Sequence, residues 1–160
     1  MNKMNGKKSS FAPVREDGSR ITICYGLKKL SGKLYEWLEV YMPKKQLSQL
    51  TFADVKAAII ADIDERIKAH IIGGMVWNGK PVWLSIENQL NFTNATAPVT
   101  LKIGEQEDGT PVYHDFENAE QLADFRAACY AHKQNALTAG WAEKDGIDWT
   151  SYEDYFKTEE

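Results

Sequence analysis

An Asn-Gly pair lies between two short apolar runs in the segment Met75-Val76-Trp77-Asn78-Gly79-Lys80-Pro81-Val82-Trp83-Leu84. Such a pair is the strongest local signal for a β-hairpin, because both central residues of a type I′ turn need a positive φ. A two-residue loop at Asn78-Gly79 pairs Trp77 with Lys80 and Val76 with Pro81. The second of these pairs needs no hydrogen bond, so the missing N–H of proline costs the hairpin nothing.

The two faces of this hairpin carry different side chains, because side chains alternate along a strand. Both faces are apolar, one with Met75, Trp77, Val82 and Leu84 and the other with Val76, Pro81 and Trp83. The helix predicted at residues 51–72 can cover only one face. We therefore expect the other face to lie against the final helix or against a second copy of the chain. We expect the face with Trp83 to be the one nearer to a protein partner.

A second ribbon has the same arrangement of residues, since Asp108-Gly109 precedes Thr110-Pro111-Val112-Tyr113. We expect another two-residue loop at Asp108-Gly109, with Pro111 at the same hairpin position as Pro81. Aromatic residues in such ribbons usually pack in a core, and at an apolar outer face they can instead contact a protein. The residues predicted to bind a partner are Val76, Pro81, Trp83 and Tyr113.

Two amphipathic helices complete the predicted fold. The first begins at a capping box of Thr51 and Asp54, carries an apolar stripe and ends at Gly73-Gly74; the stripe is Val55, Ile59, Ile63, Ile67 and Ile71. The last begins near Asn118 and is expected to stop at Gly140. The pattern predicts an α+β fold in which antiparallel hairpins pack against these two helices.

The domain organisation follows from where strand and helix patterns begin and end. Residues 1–19 are polar and lack periodicity, which predicts a flexible N-terminal arm. Alternation starts at Arg20, and Ser31-Gly32 offers a turn into a strand over Leu34–Met42. A single domain is therefore predicted at residues 20–140. An acidic, aromatic tail follows at 141–160, where Thr150 with Glu153 could begin a short helix.

Motifs of catalysis, metal binding and cofactor binding are not found in the sequence. The histidines predict no metal site, since His70 and His132 lie in predicted helices and His114-Asp115 is a pair at the end of a strand. Gly73-Gly74 follows a helix, whereas a phosphate loop precedes one. Cys24 and Cys129 are expected to be buried free thiols. A net charge of −4 argues against nucleic acid or an anionic membrane as partner, and no apolar run is long enough to span a membrane.

Residues from about Arg66 to Leu137 resemble an uncharacterised domain family of phage and prophage tail regions, found in tail-fibre and tail accessory proteins. The resemblance lies in the order of a helix, a glycine stop, an Asn-Gly ribbon, a short helix, an Asp-Gly ribbon and a closing helix. Its residues are Gly74, Asn78-Gly79, Ser85, Gln89, Gly109 and Leu122. The family has no established activity.

The resemblance implies a non-enzymatic structural or assembly protein of a phage or prophage tail, which acts through protein–protein contacts. Its partners would be other tail proteins or a second copy of the chain, and its location the host cytoplasm during assembly or the virion tail. The alternative is a small ligand-binding or carbohydrate-binding module that uses exposed aromatic residues. An enzyme of an unfamiliar type is a third alternative.

Overall fold

The computed structural model describes residues 2–44 and 50–157. The chain divides into two compact units, one made of Met1–Glu65 with Trp141–Glu160 and the other of Arg66–Gly140. This division differs from the predicted single domain over residues 20–140, because the N-terminal residues and the first hairpin belong to one unit while residues 66–140 form another. The last three residues of the predicted acidic tail lie outside the described residues.

In the described part of the first unit, four antiparallel strands form a sheet in the order β1-β4-β3-β2. These strands are β1 (Asn2–Gly6), β2 (Val14–Asp17), β3 (Arg20–Ser31) and β4 (Leu34–Pro43). The predicted hairpin is confirmed, since Ser31 pairs with Leu34 around Gly32. Residues 21–25 of β3 are buried on both faces of the sheet, which makes this strand the centre of the unit.

The prediction of a flexible arm at residues 1–19 is wrong in this structure, because β1 and β2 form the two edges of the sheet. Asn2–Gly6 pairs with β4, and Val14–Asp17 pairs with β3. An edge strand is held by backbone hydrogen bonds and can leave most of its side chains in solvent. β1 does so, and its polar sequence therefore lacks the apolar alternation from which a strand is predicted.

Helix α1 (Phe52–Ile72) begins as the sequence predicts. The Asp54 N–H donates to Thr51 Oγ1 at 3.2 Å, and the Thr51 N–H donates to the Asp54 carboxylate at 2.9 Å, which is a reciprocal capping box. Val55, Ile59 and Ile63 are fully buried, whereas the last two residues of the predicted stripe are half-buried. A second short helix, α4 (Thr150–Lys157), lies in the predicted tail.

The second unit holds two hairpins and helices around one aromatic core. Strands β5 (Met75–Trp77) and β6 (Lys80–Val82) precede helix α2 (Ile86–Asn94), and strands β7 (Val99–Glu105) and β8 (Pro111–Phe116) follow it. Ser85 caps α2 by accepting from the Asn88 N–H. The core is built around Phe92, Phe116 and Phe125. The molecule is thus an α+β protein with antiparallel strands, as predicted.

The final helix, α3 (Ala119–Asp145), passes through Gly140 instead of stopping there. Glycine ends a helix when the next residues cannot continue it, and its cost inside a helix is only about 1 kcal/mol. Here Trp141-Ala142-Glu143-Lys144 favours helix, and Gly140 is buried. The predicted start is confirmed, since the Gln121 N–H donates to Asn118 Oδ1.

The predicted two-residue loop at Asp108-Gly109 is also wrong, because Glu105 pairs with Pro111 and a five-residue connection, 106–110, lies between them. The Gly109 N–H donates to the Gln106 carbonyl, and the Thr110 N–H donates to the Asp108 carboxylate. Only Gly109 needs a positive φ in this turn, whereas a type I′ turn needs two. The Asp108 side chain thus stabilises the longer loop.

Each helix of the described residues is too short or too polar to cross a lipid bilayer.

Candidate functional site

The hairpin of β5 and β6 turns as the sequence predicts. Asn78 and Gly79 have φ values of 49° and 74°, which is the conformation of a type I′ turn. Trp77 pairs with Lys80, Val76 with Pro81, and Met75 with Val82. The predicted register is therefore confirmed, and with it the assignment of side chains to the two faces.

The inner face of this hairpin packs against the core of the second unit. The Trp77 ring lies 4.9 Å from the Phe125 ring of α3, centroid to centroid, and Val82 and Leu84 are buried. We expected α1 to cover one face and the final helix or a second chain to cover the other. The final helix covers the inner face, through Phe125.

The outer face carries Val76, Pro81 and Trp83 of the predicted partner-binding residues, and the fourth, Tyr113, lies on β8 of the other hairpin. Val76 keeps 72% of its surface accessible, Tyr113 keeps 58% and Trp83 keeps 41%, whereas Pro81 is half-buried. Val76 pairs directly with Pro81, and Pro81 and Trp83 are two residues apart on the same side of the chain. Val76, Pro81 and Trp83 therefore form one apolar surface, the ribbon face.

Lys102 joins Tyr113 to the ribbon face, a role that the sequence did not reveal. It pairs with Tyr113 across β7 and β8, and its ammonium lies 6.0 Å from the centre of the Trp83 ring. The Lys102 ammonium also contacts the Glu105 carboxylate at 2.5 Å. The four predicted residues thus lie on one side of the two hairpins, with the ion pair of Lys102 and Glu105 among them.

The two hairpins are held together at a bulge in β7. The pairing of β7 with β8 shifts between Lys102 and Gly104, and the Trp83 N–H donates to the Ile103 carbonyl at 2.8 Å. At Gly104 a Cβ would collide with the Pro81 carbonyl oxygen, so only glycine allows this approach. The bulge therefore fixes the position of Trp83 relative to β7.

His114 lies on the inner side of β8, between aromatic rings. It contacts the edges of Trp77 and Phe116, with centroid distances of 5.0 and 4.7 Å. Burial lowers the pKa of His114, and the positive charge of Lys80 lowers it further against the opposing effect of Asp115. A neutral ring accepts from the Lys80 ammonium, 3.1 Å from Nδ1. His114 thus supports the hairpin from inside.

The first unit contains a buried carboxylate, Glu39, which the sequence did not single out. It accepts from Tyr41 Oη at 2.9 Å, Trp37 Nε1 at 3.2 Å and the Arg15 guanidinium at 2.8 Å. Burial would raise the pKa of Glu39, but these three donors outweigh burial and hold it below its ordinary value. The carboxylate is ionised and fully satisfied, which is the arrangement of a structural group.

A cavity of about 710 Å³ also lies in the first unit, beside Phe11, Tyr25 and Ile147. The Tyr152 hydroxyl at its wall donates to the Cys24 carbonyl at 2.7 Å. The lining includes charges of both signs, since Lys8 is basic and Glu143 and Asp148 are acidic. Cys24 itself is buried and free, and burial raises the pKa of its thiol to about 11.

Comparison of the chain with family models, with curated proteins and with solved structures found no match. The observations that bear on function are therefore the geometry of the ribbon face and the sequence resemblance.

Proposed function

We propose that the protein is a non-enzymatic binding component that acts through protein–protein contacts at the ribbon face. The observation that supports this proposal is the exposure of Val76, Trp83 and Tyr113 on one side of two joined hairpins. Each large apolar side chain left in water forgoes roughly 1.5–3 kcal/mol of burial. A partner that covers the ribbon face would recover this energy.

The residue types of the ribbon face suit a protein interface. Tryptophan and tyrosine contribute most often to the residues that dominate binding energy, and charged residues are depleted from interface centres. The Lys102 ammonium lies among the residues of this face, where its contact with Glu105 offsets its charge. The face combines apolar and aromatic side chains with a neutralised ion pair.

The backbone under the ribbon face is rigid, which lowers the entropic cost of binding. The type I′ turn and Pro81 restrict β5 and β6, and the bond from Trp83 to Ile103 ties them to β7. A partner would therefore meet a backbone that is already ordered.

Self-association is the economical hypothesis for the partner, because one face can then cover the same face of a second copy about a two-fold axis. The setting in a phage or prophage tail is supported by the resemblance at residues 66–137 alone. In that setting the protein would be a structural or assembly component, located in the host cytoplasm during assembly or in the virion tail. Other tail proteins are the alternative partners.

Sedimentation velocity at micromolar concentration tests self-association, with the native chain compared with Trp83→Ala. We expect a native dimer or larger species that Trp83→Ala weakens. The matched control is Trp141→Ala, since Trp141 is 53% exposed and lies in the other unit. A native monomer would contradict self-association, as would equal effects of the two substitutions.

The carbohydrate-binding alternative uses the same exposed aromatic residues, so it needs a test of its own. Titration with a glycan panel, read by tryptophan fluorescence, separates the two functions. We expect no quenching that depends on Trp83. Saturable quenching that Trp83→Ala removes and Trp141→Ala leaves intact would favour a carbohydrate site instead. The position of the gene among tail genes tests the phage setting.

A further inference from the structure

A groove of about 250 Å³ lies between α2 and α3 in the second unit. Leu84, Phe92 and Cys129, which are all buried, contribute its apolar wall. Tyr130 lines the groove with a side chain that is mostly exposed. We call this site the Lys133 groove, because Lys133 is its ammonium-bearing residue. One wall of the site is therefore apolar and partly aromatic.

The charged groups of the Lys133 groove are both positive. Arg126 and Lys133 line it, and the lining within the described residues includes no Asp or Glu. Lys133 donates to the Gln89 side-chain oxygen at 3.2 Å. The Lys133 ammonium carries three donors, and this contact with a neutral amide engages one of them.

Arg126 is also held by neutral acceptors. Its Nε donates to the Phe92 carbonyl at 2.7 Å, and its Nη2 donates to the carbonyls of Thr93 and Ala95 at 3.0 and 2.5 Å. These carbonyls lie at the end of α2, whose dipole offsets roughly half a unit of charge. The Arg126 Nη1 donates to none of these carbonyls. The two cations therefore leave a net positive charge in the groove.

Cys129 does not neutralise this charge. Burial raises the pKa of its thiol to about 11, although the positive charge of Lys133 acts in the opposite direction. The side chain is therefore a neutral thiol at pH 7. It contributes apolar surface beside the two cations.

We propose that the Lys133 groove binds a small organic carboxylate with a compact apolar or aromatic body. The volume lies just below the roughly 300–1,000 Å³ of sites for drug-sized ligands, which suits a single ring with its carboxylate. The carboxylate meets Lys133 and Arg126, and the ring contacts Phe92 and Tyr130. This site is independent of the ribbon face and of the function proposed for it.

NMR titration of the native protein tests separately whether binding needs the ligand's negative charge and whether it needs the apolar ring. Benzoate is the probe, with benzamide as its neutral isostere and inorganic phosphate as an anion without an apolar body. We expect benzoate to shift the backbone amides of Gln89, Thr93 and Tyr130. Benzamide and phosphate should bind about tenfold more weakly or worse, because hydrogen bonds to a charged group are the stronger ones. Equal binding of benzamide or phosphate, or shifts elsewhere alone, would overturn the proposal.

Substitutions at Lys133 test its role in the groove. Lys133→Met should weaken benzoate about tenfold, whereas Lys133→Arg should retain affinity within about threefold because it keeps the charge. Lys102→Met, which removes an ammonium from the ribbon face, should leave the affinity unchanged. Unweakened binding by Lys133→Met would refute the proposal, and if that variant does not fold, the titrations of the native protein decide.

A third titration distinguishes a free ligand from a protein ligand. A short peptide that ends in phenylalanine offers the same ring and carboxylate at its C-terminus. Under the proposal it binds no more tightly than benzoate. Binding tenfold tighter than benzoate would overturn the assignment to a free small molecule in favour of a protein terminus.

Discussion

At the scale of single residues, glycines determine where two strands can approach. Gly104 lies at the bulge of β7, against the Pro81 carbonyl, and Gly74 lies against the Val82 carbonyl with a φ of 81°. In both places a Cβ would collide with backbone, which cannot move as the end of a side chain can. The position of the ribbon face therefore depends on residues that are not part of it.

Gly104→Ala is expected to lower the free energy of unfolding by about 1–3 kcal/mol, since a methyl group must displace the Pro81 backbone. Gly109→Ala is the matched control. Gly109 has a positive φ but no atom near its missing Cβ, so its substitution should cost only about 1 kcal/mol of backbone strain. Chemical denaturation measures both values. A smaller loss for Gly104→Ala than for Gly109→Ala would contradict the close approach.

Glu39 gives the first unit a pH dependence whose sign is fixed. Its pKa is lowered in the folded protein, so its contribution is complete above the ordinary value of 4.5 and is lost as the pH falls through the folded pKa. Glu39→Gln should cost about 1–3 kcal/mol at pH 7, because a charged acceptor is lost from three donors. With Glu39→Gln, the free energy of unfolding should also fall less steeply below pH 4.5. Denaturation curves at pH 3–7 measure this, and an unchanged acid slope would contradict it.

The roles of residues that act locally could be predicted from the sequence, and the roles of residues with distant partners could not. Asn78-Gly79 determines its own turn, since positive φ is a property of those two residues. The need for glycine at position 104 comes from Pro81, which is far away in the chain. In the sequence Glu39 is simply an acid in a strand, and its role becomes clear only because the structure places Arg15 and Tyr41 beside it.

At the scale of elements, the sequence predicted where helices begin more accurately than where they end. Thr51 with Asp54 and Asn118 each cap a helix as predicted, because a cap acts within one turn. The end of α3 at Gly140 and the loop at Asp108-Gly109 were predicted wrongly. In both places a glycine permits the predicted conformation without requiring it.

The isoleucine stripe of α1 gives a prediction with an internal control. Ile63 is fully buried, so Ile63→Ala should lower the free energy of unfolding by about 2–5 kcal/mol. Ile72, at the end of the same helix, is exposed. Ile72→Ala should therefore change the free energy of unfolding by no more than about 0.5 kcal/mol. Urea denaturation compares them. A loss below 0.5 kcal/mol for Ile63→Ala would mean that the stripe is not core.

At the scale of the whole molecule, the strands of the two units differ in whether they are buried on one face or on both. The sheet of the first unit buries the middle of β3 on both faces, from Ile21 to Tyr25. The hairpins of the second unit bury one face and leave the ribbon face in solvent. An apolar face of this kind is typical of an interaction site. The ribbon face of the second unit is therefore where we propose that association acts.

Association through the ribbon face should make thermal stability depend on protein concentration, because a bound copy stabilises the folded state by mass action. A tenfold increase in concentration should raise the apparent Tm by roughly 1–4 °C. Trp83→Ala should remove this dependence, and Trp141→Ala should retain it. High salt should leave the concentration dependence of the Tm unchanged, because screening weakens exposed ion pairs and not apolar contacts. A Tm that does not change with concentration would contradict self-association and leave the ribbon face to a different partner.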